Sequence, residues 1–154
     1  MSEPPTIYDW IGGTDAIERW LNAFYDEVER DPLLADAFGG VVSQEHRTHV
    51  VAWWAEVMGG PADYTRHHGG YEHMLAKHRD LAIGAEQRLR FVTLLSAAAD
   101  AVGLADDPEA RAALMGYAEW GTRLAVENSV PGAEPMPHAP VPRWGWGVAP
   151  PYQP

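Results

Sequence analysis

Cysteine is absent from this chain of 154 residues. That absence excludes zinc–thiolate centres, iron–sulfur clusters, thiol nucleophiles and disulfide staples together. A chain of this length buries roughly 70% of its unfolded surface on folding, so it needs no staple to hold a core. Positive charge is scarce as well: 11 Lys and Arg stand against 22 Asp and Glu, a formal net charge of −11. Nucleic acid and anionic membranes both reward basic patches, so neither is expected as a partner. A protein partner for so acidic a chain would present a basic surface. No uninterrupted apolar run approaches the roughly 20 residues that span a bilayer. The opening MSEPPTIYDW lacks the basic-then-apolar pattern of a secretory leader. A cytoplasmic protein is the expectation.

Sustained alternation of period two is missing too, so the expected fold class is all-α. There is no internal repeat. Proline is sparse until the end, where eight of the 13 fall within residues 130–154 and exclude a helix there. The chain therefore divides into a helical domain over residues 1–129 and a Pro/Trp-rich C-terminal extension over 130–154.

Within the helical domain, apolar stripes alternate with turn signals. After Gly12-Gly13, Thr14 reads as the N-cap of a helix carrying Ile17, Trp20, Leu21, Phe24, Tyr25 and Val28. Asp31-Pro32 restarts a short helical piece that stops at Phe38-Gly39-Gly40. Ser43 caps a helix with His46, Val50, Trp53, Trp54 and Val57 on one face, ended by Gly59-Gly60-Pro61. A polar loop leads to a short helix ending near His78. A long helix after Gly84 carries Leu89, Phe91, Val92, Leu95 and Ala99. Asp107-Pro108 opens the last helix, whose inner face reads Leu114, Tyr117, Trp120, Gly121 and Leu124.

Two histidines sit on apolar stripes. His78 follows Tyr71, Met74 and Leu75 at the spacing i, i+3, i+4, i+7, which puts all four on one helix face. His46 occupies the equivalent place on another helix. Each could be a hydrogen-bonded core histidine, or the two could flank a planar apolar cofactor, one imidazole supplying a nitrogen to iron. Tyr25 continues the buried face of the first long helix and could donate a hydrogen bond from a third direction. Periodicity alone leaves both readings open. His46 and His49, three apart, have chelating spacing, but no third ligand completes a set in the sequence. His67 reads as polar surface and His73 as exposed.

The motifs YDWIGG, FY at 24–25, DPLL at 31–34, GGP at 59–61 and KH at 77–78 occur in one order. In that order and near-spacing the chain resembles the truncated haemoglobins of the second group, over about residues 6–129. The resemblance implies a two-over-two helical sandwich around haem b. By position it implies His78 as the iron ligand, Tyr25 as the ligand-side tyrosine and His46 at the gate beside it. Phe38, Val50, Trp53, Trp54, Met74, Phe91 and Trp120 would line the cofactor, with Lys77, Tyr64 and His68 meeting its propionates. Two departures stand out. Phe91 occupies a position where most of the group carry a tryptophan donor, and His46 occupies one that is often small. The donors around the ligand are thus redistributed, one lost and one gained.

The function so implied is binding of dioxygen or another small diatomic. A polar ligand pocket slows release, which favours reactive chemistry on nitric oxide or peroxide over bulk delivery, with His46 as an acid–base group. The alternatives are a haem-based sensor without turnover and a helical interaction protein without cofactor. A reductase and a second copy of the chain are candidate partners. Trp144 and Trp146 in the extension would be costly to leave in water, so an arm packed on the body is expected, with partner docking as its alternative.

Overall fold

A computed structural model describes residues 3–134 and 139–151, so 135–138 and 152–154 of the proline-rich stretch lie outside the description. Among the described residues there are seven α-helices and no strand. In chain order they are α1 (Ile7–Ile11), α2 (Gly13–Arg30), α3 (Gln44–Val57), α4 (Asp63–His67), α5 (Gly70–His78), α6 (Ala85–Val102) and α7 (Pro108–Ser129), with a 3-10 turn at Ala35–Phe38. The all-α expectation holds. No helix among the described residues is long and apolar enough to cross a membrane.

The helix starts follow from side-chain chemistry. Thr6 caps α1 by accepting from the Asp9 N–H at 3.0 Å. Ser43 caps α3 through the His46 N–H at 3.1 Å, and Asp107 caps α7 through the Ala110 N–H at 3.0 Å with Pro108 in the first turn. Asp31 ends α2 and accepts from the Leu33 and Leu34 N–H groups, so it organises the turn after Pro32. One start differs from expectation. Gly12 takes φ 110, turns the chain between α1 and α2, and is itself the cap position of α2. Thr14 already lies inside that helix, and its hydroxyl pairs with that of Tyr8 at 2.7 Å.

α2 is the central element. Its stripe of Ile17, Trp20, Leu21, Phe24, Tyr25 and Val28 is buried against α3 on one side and α6 on the other, and α6 packs on α7. Trp20 is fully enclosed and donates its indole N–H to the Leu95 carbonyl at 2.9 Å, pinning α2 to α6. The result is a sandwich of α2–α3 over α6–α7. One side chain departs from the inward assignment: Leu89 is 60% exposed, whereas Trp120, 43% exposed, lines the space between the helices. The inner face of the Leu89 helix is filled by Leu95, Ala98 and Ala99.

Residues 139–151 carry no helix and lie along the body. The Trp144 N–H bonds the Val57 carbonyl at 2.7 Å, and the Trp146 indole donates to the Pro5 carbonyl at 2.7 Å.

Candidate functional site

A cavity of about 600 Å³ lies between α2, α3, α5, α6 and α7. That volume is typical of sites that enclose a small organic ligand. Tyr25 reaches it from α2, Phe38 from the 3-10 turn, and His46, Val50, Trp53 and Trp54 from α3. Tyr64 of α4, Met74, Lys77 and His78 of α5, Phe91 of α6 and Trp120 of α7 complete the expected set. His68 is the exception: it is not on the cavity wall. Its ring is tilted by 40° against that of His49, which is, at 4.3 Å between centroids, and lies 5.7 Å from that of Tyr64.

Three rings converge edge-on at one end. Tyr25 and His46 are 5.4 Å apart by ring centroid, Tyr25 and Phe38 5.9 Å, Phe38 and His46 5.7 Å. Such edge-to-face pairs hold each ring's direction as well as its position. Tyr25 is only 2% exposed, and burial raises its pKa, opposed by the nearby Arg47 cation. The phenol therefore keeps its proton and remains a donor. Burial first, and the Lys77 charge second, lower the His46 pKa, so near neutral pH its imidazole is uncharged. Phe91 packs behind this group through Phe24 at 4.8 Å.

Arg47 fixes the spacing between Tyr25 and His46. It is buried, and its guanidinium lies 5.8 Å over the Tyr25 ring. It donates to the Val42 carbonyl at 3.1 Å, the Asn22 carbonyl at 3.2 Å, Asp26 at 2.8 Å, and Glu29. This clamp ties α3 to α2 across the Tyr25–His46 end of the cavity. Arg47 carries no local motif that marks it. The available signal was an arginine one residue after His46, on the apolar side of α3, with Asp26 and Glu29 three apart on α2.

On α5, the His78 Nδ1 lies 2.8 Å from the Met74 carbonyl. A carbonyl only accepts, so Nδ1 carries the proton and Nε2 presents a lone pair. A histidine that ligates a metal is commonly oriented by this kind of second hydrogen bond. An open Nε2, apolar rings on several sides, and a lysine with histidines at one edge make a donor set that fits an iron porphyrin with two carboxylates.

The cavity edge near α4 is set by another residue that the sequence reading passed over. Glu56 of α3 is buried, and its carboxylate accepts from the Thr65 N–H at 2.8 Å and the Thr65 hydroxyl at 2.5 Å. It thereby serves the first turn of α4, whose own N-cap Ala62 has no side-chain acceptor. Tyr64, one residue away, is buried with its pKa pushed up to about 12 by burial, and its ring meets Trp53 at 5.1 Å. His49 and His73 both line the cavity and are half-buried, so His73 is not the exposed residue expected. At the inner end, the Trp53 indole donates to the Tyr117 hydroxyl at 2.9 Å.

Known proteins resemble this chain in sequence and in fold. The stretch matched in the group 1 truncated hemoglobin of Nostoc commune is 39% identical over 59 residues, 38% of this chain and 50% of that protein. That of Mycolicibacterium paratuberculosis is 38% identical over 64 residues, 42% of this chain and 47% of the relative. The chain thus spans about half the length of the curated relatives it matches. Among solved structures, the truncated oxygen-avid haemoglobin of Bacillus subtilis superposes with a TM-score of 0.71 at 28% identity, covering 79% of this chain and 99% of that one. The hemoglobin of Chloroflexus aurantiacus gives 0.70 at 26% identity, covering 79% and 97%. The group II truncated hemoglobin of Bacillus anthracis gives 0.73 at 22% identity, covering 84% and 93%, a likeness of fold alone. The family model of the bacterial-like globins matches residues 6–120, and on that span, with the truncated two-over-two fold, this chain belongs to the bacterial-like globins.

Proposed function

We propose that the cavity holds haem b with His78 as the iron ligand, and that the protein binds dioxygen or another small diatomic beside Tyr25 and His46. The observation that carries this is the His78 ring, whose Nδ1 is committed to the Met74 carbonyl while Nε2 is left as a lone-pair donor on the cavity wall. Haem iron, when bound, supplies an open coordination position and redox chemistry. Phe38, Val50, Trp53, Trp54, Met74, Phe91 and Trp120 then exclude water around the macrocycle. Lys77 and Tyr64 meet its carboxylates, and His68 acts on that edge through its ring contact with His49.

Tyr25 and His46 both donate to the ligand, and donation from a buried, water-free site is stronger than from an exposed one. That slows ligand release, as the oxygen-avid description of the Bacillus subtilis relative also suggests. A neutral His46 can take up and return a proton, which suits reaction of the ligand with nitric oxide or turnover of peroxide. The order of YDWIGG, DPLL, GGP and KH favours the second group of truncated haemoglobins, although the local identities quoted above are to first-group proteins. Residues 1–129 form the globin unit and 130–154 an extension to it.

Absorption spectra of the purified protein in ferric, ferrous and oxygen-exposed forms test the reading. A Soret band that responds to reduction and to oxygen is expected, and a protein without one overturns it. Turnover of hydrogen peroxide, and of nitric oxide with a reductase, separates an enzyme from a binding module that shows neither.

A further inference from the structure

The C-terminal segment reaches the cavity. Val141 is buried, Pro142 lines the cavity, and the Trp144 N–H is fastened to the Val57 carbonyl at the end of α3. From that anchor the Trp144 ring lies edge-on to Tyr117 at 5.5 Å and tilted against Trp120 at 5.6 Å. Trp146, bonded to the Pro5 carbonyl and edge-on to Trp10 at 6.5 Å, fastens the far end to the N-terminus. The family model ends at residue 120, so family likeness assigns this segment no role.

Tyr117 is the residue that Trp144 covers. Its ring fits where Gly121 leaves room, since a side chain there would begin 3.0 Å from the ring. Its other edge meets Trp54 at 5.0 Å, and its hydroxyl accepts the Trp53 indole N–H at 2.9 Å, a bond buried from water. Trp53 in turn touches Tyr64 and Tyr71 on the cavity wall. A buried indole N–H has one good hydrogen-bond direction, so the place of the Tyr117 hydroxyl decides how the Trp53 ring faces the cavity.

We propose that Trp144 is a positioning residue for the site: by bracing Tyr117 it fixes the Trp53 ring, so that the C-terminal segment sets the shape of the cavity wall against which the ligand is held. Without the indole, the Tyr117 ring keeps Trp54 at 5.0 Å and Trp120 at 6.0 Å but loses its edge-on brace, and the Trp53 N–H has a less firmly held acceptor. The effect on a bound ligand rests on the haem reading above. The effect on Trp53 does not.

The test is hydrogen exchange of the tryptophan indole N–H groups by NMR in the full-length protein, reduced under carbon monoxide so that any bound iron is diamagnetic. Loss of one resonance in Trp53→Phe identifies the Trp53 signal, and likewise for Trp20. Trp144→Ala should speed Trp53 exchange at least tenfold, as should Tyr117→Phe, while the Trp20 indole on Leu95 is unchanged. Trp144→Phe, which keeps a ring over Tyr117, should restore slow exchange, and Trp146→Ala should leave Trp53 slow. Unchanged Trp53 exchange in Trp144→Ala overturns the proposal. So does a rise shared equally by Trp20, which would mean that the segment merely stabilises the whole fold. If the alanine variant does not fold, Trp144→Leu is judged by the same two outcomes. Failure of the haem reading shows separately, as a wild type without a Soret band, and leaves the indole comparison intact.

Discussion

The two sides of the cavity are held by different means. On the α2–α3 side, Tyr25 is enclosed, three rings brace one another, and Arg47 is bound by Val42, Asn22, Asp26 and Glu29. On the α5 side, only Gly70 and Leu75 of nine residues are buried. The chain then leaves His78 through Asp80 at φ 63 and Ala82 at φ 51, left-handed positions that non-glycine residues rarely adopt. It is re-anchored by the Ala82 N–H on the Ser129 carbonyl and the Ile83 N–H on the Ser129 hydroxyl. The side that carries Tyr25 and His46 is thus preorganised by the fold. The side that carries His78 has fewer buried contacts of its own, so a group that bound only the folded state there would add its binding free energy where the fold supplies least.

The largest way to break this asymmetry is to remove the contact that closes the α5 side. His78→Ala should abolish stable haem retention, and added imidazole should restore part of the wild-type ferrous spectrum, since the space left is imidazole-sized. Retention of haem with an unchanged ferrous spectrum would show that another histidine is the ligand. In haem-free protein, limited proteolysis should cut within residues 70–84 before it cuts α2 or α3.

The opposite side is tested through its donors. Tyr25→Phe should speed oxygen dissociation about ten- to a hundredfold, from loss of a hydrogen bond worth roughly 1.5–3 kcal/mol. His46→Leu should have a smaller effect, because the half-buried imidazole is less tightly fixed than the enclosed phenol. Phe91→Trp should slow release if the new indole reaches the ligand. Stopped-flow dissociation rates decide it, and near-identical rates for wild type and Tyr25→Phe would take the tyrosine out of the ligand pocket.

What the sequence revealed of this asymmetry depended on length and locality. The long stripes of α2, α3, α6 and α7 were legible because their periods run for several turns, and so were the caps at Ser43 and Asp107. The two five-residue helices α1 and α4 were not, because a single turn has too few apolar positions to show a period. The wall residues Tyr25, His46 and Trp53 could be nominated from their stripes. Their supports could not, since Arg47 finds its acceptors 18 to 25 residues away on α2 and Tyr117 meets Trp53 across 64 residues. His68 stands behind His49 and beside Tyr64 rather than on the wall itself, which its sequence position could not show. It is the C-cap of α4, and its ring contact with His49 joins two helices, which no local pattern encodes.

Acid sharpens the comparison further. His46 and His68 both have pKa values lowered first by burial, so the fold favours their neutral forms. Below about pH 6.5, the ordinary histidine value, the unfolded chain takes up protons that the folded chain resists. Stability therefore falls as pH drops through that value and is insensitive to these groups above about pH 7. The folded carboxylates Asp31 and Asp107, whose pKa values are lowered, matter only further down, near and below about pH 4. Melting temperature followed between about pH 7.5 and 5.5 should fall in the wild type. It should be flatter in a His46→Gln, His68→Gln double variant, and equal slopes would remove the α3–α4 side as the origin.

The smallest effect isolates the α5 side without touching the cavity. Ser129 is fully buried, donates its hydroxyl to the Val126 carbonyl at 2.8 Å, and accepts from the Ile83 N–H at 2.9 Å. Ser129→Ala keeps the backbone bond from Ala82 to the Ser129 carbonyl at 2.8 Å and removes only the side-chain one. A partly buried N–H left without its partner costs about 1 kcal/mol, roughly a fivefold change in an equilibrium. That cost should fall on the turn that follows His78, so haem transfer to an acceptor such as apomyoglobin should be several times faster. Oxygen dissociation should not change, because the hydrogen bonds and ring contacts that hold Tyr25, His46 and Arg47 come from α2, α3, the 3-10 turn and Val42. If oxygen release sped up along with haem loss, the two sides of the cavity would be mechanically one, and the ligand donors would owe their placement to α5 as well as to the clamp on α2.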